Sequence, residues 1–194
     1  MLPVRQSIGG LGNLMFKQAY LYAQFRDGNI PDIYLQSPKY WLNYQDEIRQ
    51  LFSENIPAKN NYISLHIRRG DYVNNSFYVD LTSTDYYQRA TTLFPDKDFL
   101  VFCKDNQNEN VDTRDRRWTI DFMTSLGVPF KMAPKDNSET EDLNLMASCE
   151  GHIMANSSFS WWASFLGGGQ TVAPKQWFTD GVQRIDLLDN WTVI

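Results

Sequence analysis

Short apolar runs alternating with longer amphipathic segments constrain this chain more than any other feature. The runs at 62–68, 99–103, 130–132, 151–155 and 171–173 predict strands, and two more are expected at 2–7 and 32–35. Segments at 13–26, 41–52, 83–94, 113–126, 141–150 and 161–166 predict helices. Strand–helix alternation of this kind argues for an α/β fold built on a mostly parallel sheet. With 194 residues the chain is expected to form a single compact unit, with possible lobes at 1–60 and 61–194.

Helix boundaries carry chemical punctuation. Ser83-Thr84-Asp85 before Tyr86 reads as a helix start, as does Asp136-Asn137-Ser138-Glu139 before Leu143. Gly127 followed by Val128-Pro129 reads as a helix stop leading into a strand. The polar segment 74–82, with two aromatics, is expected to be a mobile loop.

At the end of the strand over 62–68 stands His66-Ile67-Arg68-Arg69-Gly70-Asp71-Tyr72-Val73. Half-buried arginines need partners, and Asp71 alone cannot satisfy two guanidinium groups. Neighbours on a strand point to opposite faces, so one arginine is expected to meet a ligand while the other pairs with Asp71 or a helix end. The plain alternative is an exposed ion-pair cluster of little energetic weight. Net charge decides how much the pair says. At −5 the chain has no broad electrostatic grip for nucleic acid or an anionic lipid surface, so any anion must be held locally.

Other motifs fall at the same kind of position. Gly9-Gly10-Leu11-Gly12-Asn13 lies between a predicted strand and a helix, where glycines let backbone N–H groups approach a phosphate. It matches neither the full dinucleotide fingerprint nor a Walker loop, and a tight structural turn explains it equally well. Asn156-Ser157-Ser158 also follows a strand and precedes a helix, and could hold a phosphate or simply cap. Trp161 and Trp162 read as core residues. His66 and His152 sit in apolar strands and read as satisfied core histidines. Two histidines and two cysteines at this spacing form no metal motif. Cys103 and Cys149 read as buried thiols of a reducing compartment. The chain has no long apolar stretch and opens without a signal peptide, so a cytoplasmic location with no membrane segment is expected.

Taken in order, these blocks resemble the α1,2-fucosyltransferase family. The resemblance rests on Gly9-Gly10-Leu11-Gly12-Asn13-Leu14-Met15-Phe16, on His66 to Asp71 as an H-x-R-R-x-D motif, and on Val101-Phe102-Cys103-Lys104-Asp105. Asp142 to Trp162 and Ala173 to Phe178 extend it across nearly the whole chain. It implies a Rossmann-like, GT-B-like but reduced glycosyltransferase. Such an enzyme moves L-fucose from GDP-fucose to a sugar hydroxyl, such as galactose O2, with inversion and without a metal or other cofactor. The partners implied are a nucleotide-sugar donor and a glycan acceptor. By the same resemblance Arg68 and Asp71 are the catalytic candidates. Donor contacts fall on Gly10, Gly12, Asn13, His66, Arg68, Arg69, Asp142, Asn156, Ser157 and Ser158. The interval between the glycine motif and His66 is short for the family, which points to a reduced acceptor side. A different nucleotide sugar, or a binding module without catalysis, stays open as an alternative.

Overall fold

The computed structural model describes residues 10–27, 37–73, 75–103 and 109–194, with side chains described throughout these except at 24–27, 71 and 109–114. The strands expected at 2–7 and 32–35 lie outside the described residues. Six strands form one sheet: β1 (Asn60–Ile67), β2 (Phe99–Cys103), β3 (Phe130–Met132), β4 (Cys149–Ile153), β5 (Gln170–Ala173) and β6 (Thr192–Val193). Every pairing is parallel, in the order β3-β2-β1-β4-β5-β6. This is the doubly wound, Rossmann-like arrangement, in which the chain winds outward from β1 and then returns to begin again at β4.

Helices cover both faces, as a parallel sheet requires. Strand alternation sorts the side chains. Ile63, Leu65 and Ile67 of β1, with Phe99 and Val101 of β2, face a core closed by α3 (Tyr86–Thr92) and α4 (Glu109–Leu126) through Tyr87, Ala90 and Met123. Leu100 and Phe102 face the opposite core, closed by α1 (Leu11–Asp27), α5 (Glu139–Ala147) and α6 (Ser158–Gly167). Where one helix over 41–52 is expected, a 3-10 turn at Leu42–Tyr44 leads into α2 (Gln45–Phe52). Trp161 and Trp162 are both fully buried, and Trp41 stacks on Trp162 at 5.4 Å while Phe16 of α1 meets both tryptophans. This aromatic cluster seats α1 against α6.

Both predicted helix starts are present, although Asp85 at the start of α3 makes no side-chain cap hydrogen bond. Ser138 and Glu141 make a reciprocal capping box at the start of α5. At the amino end of the central strands Lys59 Nζ donates to the carbonyls of Ala147, Cys149 and Gly167, at 3.1, 2.7 and 2.7 Å, gathering the ends of α5 and α6 beside the start of β4. Both cysteines are free thiols, and burial pushes Cys149 up to about 11. Among the described residues no helix is long and apolar enough to cross a membrane.

The loop expected over 74–82 is tied down from residue 75 onward. Tyr78 bridges Phe178 in antiparallel fashion, Val79 N donates to Trp177 O at 3.1 Å, and Thr179 N donates to Phe77 O at 3.0 Å. Backbone pairing with a segment about 100 residues downstream supplies order that the local composition does not announce.

Candidate active site

In a sheet of this order the crevice opens at the carboxyl ends of the two central strands, here β1 and β4. A cavity of about 940 Å³ lies there. β1 delivers His66 and Arg68 to it, β4 leads into Asn156 and Ser157, and the first residues of α1 and α6 complete its floor.

Two helix N-termini meet in that floor. Gly10 O accepts from Asn13 N and Leu14 N, so Gly10 opens α1, and the Ser157 hydroxyl caps α6 by accepting from Phe159 N at 3.3 Å. Gly12 is pressed against Ser158 so closely that an added Cβ would stand 2.6 Å from its backbone carbon. Ser158 Oγ donates to Asn13 Oδ1 at 3.0 Å and locks the two ends together. Each N-terminus carries unsatisfied N–H groups and a partial positive charge, so the pair is a ready anion site.

The arginines part company as strand alternation demands. Arg68 lines the cavity, its guanidinium 5.2 Å from the Tyr72 ring. Arg69 is not part of the cavity wall. It lies 3.6 Å over the Trp118 ring and its Nε donates to Asp115 Oδ1 at 3.3 Å. Asp115 Oδ2 also accepts from Gly70 N at 3.0 Å, which pins the turn Gly70–Tyr72 where Gly70 has φ +46°. The partner shown for Arg69 is therefore on α4. The Asp71 side chain, the sequence's catalytic candidate beside Arg68, lies outside the described residues.

His66 is 5% exposed and lines the cavity beside Phe159. Burial, reinforced by the Arg68 charge, pushes its imidazole down to about 3, so it is neutral at physiological pH. Its buried Nδ1 meets no hydrogen-bond partner among the described residues. His152 is core, as its apolar strand suggests, with Nδ1 2.7 Å from Ser64 Oγ. Asn156 lines the cavity but spends its amide on the Val79 and Trp177 carbonyls, at 2.9 and 3.1 Å, bracing two loop segments. Asp142, in the first turn of α5, stands in the wall on the β3 side and accepts from Asn137 Nδ2 at 2.9 Å.

The sequence reading missed several wall residues. Lys135 follows β3 and was open to discovery by the strand-end rule. Arg116 sits within a helix and Arg184 in an irregular segment, where no local signal marks them. With Arg68, Lys135 and Arg116 put three cationic side chains against the carboxylates of Glu139 and Asp142, while the charge of Arg184 is paired with Asp180. An acidic protein thus has a locally positive crevice, suited to an anionic ligand.

The family model described as Glycosyl transferase family 11 matches residues 17–194. The chain belongs to glycosyl transferase family 11. An Escherichia coli alpha-1,2-colitosyltransferase is 31% identical over 172 residues, covering 74% of this chain and 54% of the relative. The Escherichia coli O-antigen biosynthesis glycosyltransferase WbnK is 28% identical over 199 residues, covering 92% of this chain and 62% of the relative. A rat galactoside alpha-(1,2)-fucosyltransferase 1 is 30% identical over 120 residues, covering 57% of this chain and 29% of the relative. The family 11 chain therefore spans little more than half the length of its bacterial relatives. No solved structure matches it.

Proposed function

We propose that this family 11 chain transfers L-fucose from GDP-fucose to a sugar hydroxyl, galactose O2, with inversion and without a metal. The observation that carries the reading is Arg68 lining the same cavity as the closely seated N-termini of α1 and α6. A planar guanidinium and two sets of backbone N–H groups suit a pyrophosphate. Asp142 suits the base: a carboxylate accepts from the two adjacent N–H donors on the edge of guanine, whereas uracil offers only one.

In the reaction the acceptor oxygen bonds to the anomeric carbon from the face opposite GDP. The anomeric C–O bond breaks, and its electron pair stays on the β-phosphate oxygen. Charge grows on that oxygen while the sugar gains oxocarbenium character. Arg68 and the helix N–H groups stabilise the growing charge without reorganising, and so act more strongly on the transition state than on the bound donor. The acceptor proton leaves to a base. Asp71 is the carboxylate nearest the motif, and a partner arginine would lower its basicity. Neutral His66 is suited to hydrogen-bond the donor rather than to add charge.

Calorimetry with GDP-fucose, GDP-mannose and UDP-galactose, with and without EDTA, tests the reading. Guanine nucleotides should bind preferentially and ignore EDTA, and Arg68→Ala should weaken them about 10- to 100-fold, the worth of one charge-assisted contact. Absence of nucleotide binding by the wild type, or an unchanged Kd in Arg68→Ala, refutes it. The relative named a colitosyltransferase makes a colitosyl donor the specific alternative, to be separated by direct competition. GDP binding with no acceptor-dependent GDP release would identify a binding module.

A further inference from the structure

Apart from Arg68 at its near end, the cavity wall toward β5 carries no residue that the donor reading above uses. Tyr72 and Tyr78 stack there with centroids 3.9 Å apart and planes 7° from parallel. Phe77 and Phe178 extend the surface, at 5.1 and 5.6 Å from Tyr78 and 5.0 Å from each other. Arg68 lies at the near end, over Tyr72. Arg184 closes the far end, 5.0 Å over Phe77 and 4.7 Å over Phe178. The ladder therefore begins at the arginine assigned to the pyrophosphate and runs away from it, across the rings, to a second guanidinium.

This wall is built rather than incidental. The Tyr78–Phe178 bridge fixes its backbone, and Asn156 braces both segments from below. Arg184 is immobilised by a two-pronged pairing with Asp180, at 3.0 and 2.6 Å, and by Val182 O. Phe77 nevertheless remains 43% exposed at the cavity rim, an apolar ring that a bound partner would cover.

We propose that Phe77, Tyr78, Phe178 and the Arg184–Asp180 pair form the acceptor subsite, and that it takes an uncharged hexopyranose, a β-galactoside. The proposal rests on the donor reading above, which assigns the opposite wall to the nucleoside. A pyranose has a face of C–H groups and an edge of hydroxyls. The aromatic shelf meets the face, and the guanidinium–carboxylate plane beside it offers the edge both donors and acceptors. Asp180 already balances the Arg184 charge, so the subsite favours a neutral sugar over an acidic one. Its position next to the donor phosphate end places an acceptor hydroxyl beside the sugar to be transferred.

The test uses methyl β-D-galactopyranoside as probe, followed by saturation-transfer NMR with and without GDP, while calorimetry follows GDP alone. Wild type should show transfer concentrated on the C–H face of the galactoside. Phe77→Ala and Arg184→Ala should each weaken galactoside binding at least about tenfold, with the GDP Kd kept within about twofold. Phe77→Tyr, which keeps the ring, should retain binding, and melting curves check that each variant folds. Galactoside binding that is unchanged in both alanine variants, or absent in wild type, overturns the proposal. Parallel loss of GDP and galactoside would return the shelf to the nucleotide and overturn it as well. Shelf-dependent galactoside binding in a wild type that ignores GDP would support the subsite and sink the donor reading instead.

Discussion

Gly12→Ala is the substitution with the best-defined consequence. The new Cβ would stand 2.6 Å from Ser158 C and 2.7 Å from both Ser158 O and Oγ. Ordinary contact begins near 3.4 Å, so α1 and α6 must part by about 0.8 Å. Two of the three atoms are backbone, and no rotamer change relieves them. Overpacking of this kind costs about 1–3 kcal/mol, offset by up to about 1 kcal/mol because alanine favours helix over glycine. Each kcal/mol lowers the melting temperature of a chain this size by about 2–4 °C. The larger effect is on the anion site. Hydrogen bonds near 2.9 Å stretched by this separation leave the bonding range, and GDP affinity should fall at least about tenfold. Gly10→Ala is the control, since nothing lies within 4 Å of its added Cβ. Ser158→Ala in the Gly12→Ala background should not restore stability or affinity, because the backbone contacts persist. Calorimetric melting and GDP titration of the variants decide the matter. A Gly12→Ala protein with wild-type melting and GDP affinity, or a Gly10→Ala protein damaged to the same degree, would refute the reasoning.

Two more expectations concern the frame around the site. Asp115→Ala leaves Arg69 half-buried without its carboxylate and frees the Gly70 turn, so we expect a loss of about 2–4 kcal/mol in urea unfolding together with weaker GDP binding. A change below about 0.5 kcal/mol would mean the pair behaves like an exposed one. The buried histidines set an acid limit. Burial, with the Arg68 charge at His66 and the Lys59 charge at His152, holds both near 3, below their unfolded value of about 6.5. The unfolded chain then binds protons that the folded chain refuses, so stability is full above about pH 6.5 and falls as pH drops toward 3. At pH 5 the loss is about 2 kcal/mol per histidine. Urea midpoints that stay level between pH 7.5 and about 5 would contradict it.

Much of the layout was legible because it is local. Apolar periodicity placed β2 and β3 to the residue and β1, β4 and β5 to within two residues at most edges, since a buried parallel strand must be a continuous apolar run. The Ser138 capping box and the Gly127 stop needed only their neighbours in the chain. The opposite directions of Arg68 and Arg69 follow from the twofold period of a strand ending. β6 went unseen because its two exposed residues carry no pattern, and its pairing comes from the edge of β5.

What the tertiary structure decided are the meetings between residues far apart in the chain. Asp115 as the partner of Arg69, 46 residues on, has no local signature. Neither has the seating of Gly12 on Ser158, which turns two unremarkable helix starts into one anion site. Arg184 stands at the cavity from an irregular segment, over Phe178, whose backbone is bridged to Tyr78 a hundred residues earlier. The apolar pattern alone was enough for β1 to β5 and for the strand-end rule that points to a crevice. The fold decided which wall gathers Arg68 and two helix N-termini and which is aromatic, because charge and stacking act through space at a few ångströms, whatever the distance along the chain.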